Sequence, residues 1–156
     1  MKPTLYLDTS VPSYYVAEPS DSLIVAAHQR ITRMWWDSRL KRYQIRISQF
    51  VLDEARCGNP VLARKRLPVL RPFKLLDLSD EALVFCRVLR DSQIFPRSNA
   101  LDPSHVGVAA AHGMHFFATW NFKHIANYKI TERIRAICRE HGFACPVICT
   151  PEELMS

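Results

Sequence analysis

The chain has only four glycines in 156 residues, and they do not cluster. A glycine-rich loop that cradles phosphate is therefore absent, which excludes the common nucleotide-binding fingerprints. No stretch approaches the ~20 apolar residues that a membrane-spanning helix requires. Met1-Lys2-Pro3-Thr4 runs directly into a strand pattern, with no apolar signal core and no small-residue cleavage site. The expectation is a cytoplasmic protein with no membrane partner. The five cysteines are odd in number and unevenly spaced, which argues against a disulfide framework and for reduced thiols. Cys138, His141, Cys145 and Cys149 raise a zinc question but offer only one weak pair in place of two Cys-x2-4-Cys knuckles. Cys145 and Cys149 fall in Cys145-Pro146-Val147-Ile148-Cys149, which reads as a buried strand. No metalloprotease-type histidine pair is present, and His105 and His112, seven apart on one helix face, read as core or surface histidines. No Ser/His/Asp set has recognisable local context. There is no internal repeat, low-complexity stretch or linker, so residues 1–156 read as one domain with one core.

What is present is positive charge. The formal net charge is +6 with a pI near 9.3, which favours an anionic partner such as nucleic acid. Arg30, Arg33, Arg39, Lys41 and Arg42 form one group, and Arg64, Lys65, Arg66 and Arg71 another. Each could line a groove, and each taken singly reads first as a solvated helix face.

Strand and helix patterns alternate along the chain. Strands are expected at Leu5–Leu7, Tyr43–Ser48, Phe73–Leu78, Phe116–Trp120 and Val147–Cys149. Asp21-Ser22 cap a long helix, Ser48-Gln49 open another that stops at Gly58, and Val61–Leu67 form a third ended by Pro68. Ser79 caps a helix with acids in its first turn. A loop follows over 94–100, then a helix from about Pro103 to His112 ended by Gly113, and a last helix capped by Thr131. Strands separated by helices imply a three-layer α/β/α sandwich around a mostly parallel sheet.

Four residues then gain weight, because ligands of such sheets bind outside the carboxyl ends of the strands. Asp8 ends the first strand and Asn121 ends the fourth. Glu54 shares an apolar helix face with Phe50, Val51 and Ala55. Asp102, before Pro103, starts a helix. Each has a plain structural account as well. Asp8 and Asn121 suit turns, Glu54 has Arg56 or Arg66 as a candidate ion-pair partner, and Asp102 is a good cap. If they meet, carboxylates gathered in one crevice repel unless a cation joins them, and hard oxygen ligands suit Mg²⁺ or Mn²⁺.

The segments around these residues resemble PIN-domain proteins, in particular VapC-type toxins of toxin–antitoxin pairs. Leu7-Asp8-Thr9-Ser10-Val11-Pro12-Ser13 resembles their opening, and Val51-Leu52-Asp53-Glu54 their second acidic element. Leu101-Asp102-Pro103-Ser104-His105 resembles the third, which often reads Asp-Ala-x-His. Thr119-Trp120-Asn121-Phe122-Lys123-His124 is the most specific match, and Val147-Ile148-Cys149-Thr150-Pro151-Glu152-Glu153-Leu154 resembles the C-terminal ending. The resemblance spans nearly the whole chain. It implies a PIN-like sandwich, Mg²⁺- or Mn²⁺-dependent endoribonuclease activity, a homodimer, and a small antitoxin that inserts a segment into the acidic groove. It makes Asp8, Glu54 and Asp102 metal ligands, puts Asn121 in the place of a fourth acid, and gives Thr9 or Ser10 a supporting role. Pro103, His115 and the neutral Asn121 depart from the pattern. Arginine-rich surroundings offer Trp35, Trp36 and Tyr43 as stacking partners for unpaired bases, with core packing as the other account of them. Two rival classes stand beside the nuclease: a non-catalytic PIN-like module that binds RNA or protein, and a small-molecule phosphatase.

Overall fold

The computed structural model describes residues 1–96, 102–122 and 125–156. Five strands, β1 (Thr4–Leu7), β2 (Gln44–Ile47), β3 (Lys74–Leu75), β4 (Phe116–Ala118) and β5 (Val147–Cys149), form one sheet in the order β3-β2-β1-β4-β5. Every pairing is parallel. β1 lies at the centre, and Leu5, Tyr6 and Leu7 are all fully buried, as a strand covered on both faces demands.

Seven α-helices connect the strands: α1 (Ser10–Val16), α2 (Leu23–Arg39), α3 (Gln49–Ala55), α4 (Pro60–Leu70), α5 (Asp80–Asp91), α6 (Asp102–Ala111) and α7 (Tyr128–Glu140). Right-handed crossovers from β1 to β2 to β3 put α1–α4 on one face. The chain then returns across the sheet to β4 and β5, which puts α5–α7 on the other. Contacts between α1 and α2, α1 and α4, and α3 and α4 knit the first layer, and α5 packs along α6 in the second.

Local chemistry explains the boundaries, including those the sequence misplaces. Ser22 caps α2 by accepting from the Val25 N–H, and Ser79 caps α5 by accepting from Ala82. α4 does not stop at Pro68 but runs through it to Leu70. Proline in the last turn costs one helical hydrogen bond, and Leu70, fully buried, gains more by completing the turn. α7 is capped by Asn127, which accepts from Lys129, and Thr131 lies inside the helix and donates to the Ile125 carbonyl at 3.2 Å. β3 keeps only two of the six residues expected, as suits an edge strand that exposes little backbone to another chain. The loop expected over 94–100 is described only through Pro96, and the remainder lies outside the described residues. α6 ends as expected, with Gly113 at φ 62° just past it.

The cysteines divide by environment. Cys86, Cys138 and Cys149 are buried, Cys145 is half-buried and Cys57 is exposed. Burial raises the Cys86 thiol to about 11 and the Cys149 thiol to about 12. Cys138 donates to Cys145, which raises Cys138 and lowers Cys145. The Cys149 thiol points at the Phe117 carbonyl and His141 Nδ1 at the Ile137 carbonyl, so these residues form no zinc site among the described residues. Treatment of the folded protein with iodoacetamide at pH 8 should label Cys57 first and Cys145 more slowly. Cys86, Cys138 and Cys149 should stay protected until denaturant is added. Labelling of Cys86 or Cys149 at the rate of Cys57, read by peptide mass, would refute this assignment.

Candidate active site

Because all strands run parallel, the carboxyl ends of β1, β2 and β4 emerge on one edge, at the point where the chain's connections diverge to either side of β1. Asp8 follows β1 directly. Glu54 comes from α3, which starts just after β2, Asp102 from the first turn of α6, and Asn121 from the exit of β4. These four residues line one open cleft of about 290 Å³ together with Thr9, Ser10, Tyr14 and Trp120.

Asp8 is buried and densely bonded. Its Oδ1 accepts from the Thr9 N–H at 2.7 Å, and its Oδ2 accepts from the hydroxyls of Ser10 at 2.9 Å and Thr119 at 2.7 Å. Those two hydroxyls also accept: Ser10 from the Trp120 N–H at 3.0 Å and Thr119 from the Asn121 N–H at 2.9 Å. The carboxylate is thus tied through two hydroxyls to the backbone that carries Asn121. The Asn121 amide nitrogen lies 3.3 Å from both oxygens of Asp102.

Glu54 takes neither expected arginine. Arg56 pairs with Asp53 at 3.3 Å, and Arg66 donates to the carbonyls of Ala55 and Cys57. Glu54 instead accepts from the Thr9 hydroxyl at 2.8 Å and from His105 Nε2. His105 is fully buried, its Nδ1 2.7 Å from the Tyr6 hydroxyl, which also meets the Ser48 hydroxyl at 2.7 Å. Burial works to raise Glu54 and to lower His105. Their mutual hydrogen bond and charge outweigh it, with Thr9 helping Glu54 and Asp8 and Asp102 acting on His105. The net result is a lowered Glu54 and a raised His105, an internal ion pair at the floor of the cleft. Burial leads the causes that raise the Tyr6 hydroxyl well above its ordinary range, so that it stays protonated and can donate.

The donor set suits a hard dication. Ligand atoms of Asp8, Glu54 and His105 lie within 4.8 Å of one another and could hold a metal ion, His105 only after giving up its proton and its bond to Glu54. Asp102 adds a third carboxylate to the same cleft.

Sequence reasoning misses His105, Tyr6, Ser48 and Thr119. His105 had a signal, since a residue three after Asp102 shares its helix face. Tyr6 and Thr119 had none, because their roles depend on which strands become neighbours. Trp35, offered above as a base-stacking residue, is fully buried, and Trp36 and Tyr43 pack against the same core. His115 sits at the amino end of β4, where its Nδ1 meets the Thr4 hydroxyl at 2.8 Å, so it stands at the opposite edge of the sheet from Asn121. Several basic residues are also committed locally: Arg33 to the Ala17 carbonyl, Arg39 to that of Met155, and Lys65 to Glu18.

Neither a family model nor a curated protein matches the sequence. Among solved structures, the chain is similar to one in the crystal structure of VapBC2 from Rickettsia felis bound to a DNA fragment from their promoter. The TM-score is 0.60 and the identity 17%, over 94% of this chain and 98% of that one. The fold is PIN-like. The five-stranded parallel sheet with helices on both faces is thus the architecture that the resemblance implied, parallel throughout rather than mostly so. Among the described residues, no helix is long and apolar enough to cross a membrane.

Proposed function

We propose that the chain is a single-domain, PIN-type endoribonuclease that depends on Mg²⁺ or Mn²⁺, and the toxin of a toxin–antitoxin pair. The observation that carries this reading is the meeting of Asp8, Glu54, Asp102 and Asn121 in one open cleft at the carboxyl edge of the sheet. Asp8, Glu54 and Asp102 would hold the cation, with Asn121 as the fourth polar wall. A dication bound there supplies Lewis acidity toward a phosphoryl oxygen and lowers the pKa of water.

The chain's own groups do the rest. Thr9, Ser10 and Thr119 fix both oxygens of Asp8, and Thr9 also holds Glu54. His105 neutralises Glu54 from beneath, so the carboxylates sit close without full mutual repulsion. The net charge of +6 favours approach of a polyanion despite the acidic centre. A small antitoxin is the inferred protein partner, in line with the VapBC2 complex, and a cytoplasmic homodimer is the inferred working form.

The test is cleavage of a mixed-sequence single-stranded RNA by wild-type protein with Mg²⁺, with Mn²⁺ and with EDTA. Cleavage that appears with either metal and stops with EDTA is the expected result. A folded, metal-supplied protein that leaves RNA intact but binds it would favour the non-catalytic module, to which the neutral Asn121 and the internal Glu54–His105 pair also lend support. Hydrolysis of a chromogenic phosphate with none of RNA would favour a phosphatase.

A further inference from the structure

Phe122 follows Asn121 directly, so it stands one residue from the acidic cleft, and it is 45% exposed. Its ring is not loose. It leans on His28 with ring centres 5.6 Å apart and on Trp120 at 5.9 Å. His28 is itself stacked on Trp120 at 4.2 Å and 15°. Trp120 is anchored by Nε1, which donates to the Thr32 hydroxyl at 2.7 Å, and that hydroxyl donates to the His28 carbonyl. The Phe122 N–H meets the Trp120 carbonyl at 3.0 Å. An exposed aromatic face is therefore fixed in place before any ligand arrives.

That face forms one wall of a second, larger cleft of about 620 Å³. Tyr128, which is 79% exposed, and the half-exposed Arg135 line the same cleft. Thr131, Ile148 and Thr150 contribute to the lining. Three acids also line it: Glu132 pairs with Arg135 at 2.6 Å, Glu153 accepts from the Thr150 N–H at 2.7 Å, and Glu152 is exposed. Trp120 and Asn121 line the acidic cleft and Phe122, the next residue, lines the second one, so one short segment contributes to both. Polar walls with two exposed rings suit the uncharged base of a nucleotide better than an apolar protein surface, while the three carboxylates leave no place here for its phosphate. Bases stack on aromatic rings regardless of sequence, and only unpaired bases can do so.

We infer that this second cleft is a nucleotide subsite, in which Phe122 and Tyr128 take an unpaired base of single-stranded RNA next to the phosphodiester in the acidic cleft. The inference rests on the nuclease reading for the position of that phosphodiester. It makes Phe122 a substrate-positioning residue.

The experiment measures binding separately from cleavage. A short single-stranded RNA carrying 2-aminopurine is titrated with protein in EDTA, and cleavage with Mn²⁺ is followed in parallel. The proteins are wild type, Phe122→Ala, Phe122→Trp and Tyr128→Ala. Stacking should quench the fluorophore on wild-type protein. Phe122→Ala should bind about tenfold more weakly, equivalent to about 1.4 kcal/mol. Phe122→Trp should restore both affinity and quenching, which a merely structural role for Phe122 would not produce. Tyr128→Ala, in the same cleft and highly exposed, should weaken binding without altering the melting temperature.

Metal-dependent cleavage with unchanged binding and quenching in both alanine variants would overturn the subsite and leave the nuclease standing. Binding lost in those variants, with no cleavage by wild type, would keep the subsite and overturn the nuclease. Absence of wild-type binding to single-stranded RNA, or equal affinity for duplex RNA, overturns the subsite. Unchanged RNA binding with a dimer that dissociates in the alanine variants would assign this face to a second copy of the chain and likewise overturn it.

Discussion

Asp8→Asn should abolish metal-dependent RNA cleavage, with a loss of about a thousandfold or more. A bound cation contributes several kcal/mol to stabilising charge in the transition state, and each ~1.4 kcal/mol is tenfold in rate. The substitution halves the anionic character of the Asp8–Glu54 pair, which carries the only two carboxylates of the compact three-ligand group. It also disturbs the hydrogen bonding around position 8. Oδ1 and Oδ2 together accept from one N–H and two hydroxyls. An amide nitrogen at Oδ1 would face the Thr9 N–H, and one at Oδ2 would make the Ser10 and Thr119 hydroxyls turn from donating to accepting, at a cost of ~1–3 kcal/mol. A domain of this size loses roughly 2–4 °C in melting temperature per kcal/mol, so the variant should melt several degrees lower and still be folded at 25 °C. Circular dichroism establishes that before activity is read. Asp53→Asn is the control, because Asp53 is exposed and its carboxylate meets Gln49 and Arg56, away from the cleft residues. It should cleave like wild type. Full activity in Asp8→Asn, or equal losses in both variants, would defeat the assignment of the cleft as the reaction centre.

Gly107→Ala should be the most damaging small substitution in the fold. A Cβ at this position would lie 2.7 Å from Cys86 Sγ, 2.9 Å from Cys86 Cα and 3.0 Å from Cys86 N. Two of those atoms are backbone of α5 and cannot rotate away. Alanine improves helix propensity by about 1 kcal/mol, and overpacking typically costs ~1–3 kcal/mol and occasionally more. Contacts this short with backbone belong at the upper end, so a net loss of about 2 kcal/mol and a melting temperature roughly 5 °C lower are expected. Activity should fall with stability, because α6 also carries Asp102 and His105, and pushing it off α5 displaces both. Adding Cys86→Ala should restore only part of the loss, since it removes the thiol and leaves Cα and N. A melting temperature equal to or above wild type in Gly107→Ala would show that α5 and α6 are less tightly apposed.

The layers and their order were legible because the relevant signals are local. Ser22, Ser79 and Gly113 mark helix ends by their own backbone chemistry. Buried residues in β1 announce a central strand. Where a boundary was misplaced, packing overrode local preference: Leu70 drew α4 past Pro68, and Asn127 supplied an earlier cap than Thr131. The same division holds for the candidate site. Asp8, Asp102 and Asn121 each ended or opened an element at the ligand-bearing edge, and Glu54 stood on the apolar face of a helix, so their type and position were visible in one dimension. The groups that orient them were not. Thr119 reaches Asp8 across 111 residues, and Tyr6 reaches His105 across 99. Such distant pairs exist only once β1 has taken β4 and β2 as neighbours. Glu54 shows the cost of local reasoning most plainly, since nearby arginines seemed sufficient partners and a histidine 51 residues away took the role.

That histidine bears on the order in which the molecule is put together. His105 meets Glu54 from below, and Tyr6 and Ser48 tie its imidazole to the central strands, so one of the cleft's three carboxylates has a partner within the polypeptide itself. On the proposed metal-dependent reading, a newly made chain would reach its native shape in a cation-poor setting and take up its ion afterwards, so that readiness and arming would be separate events.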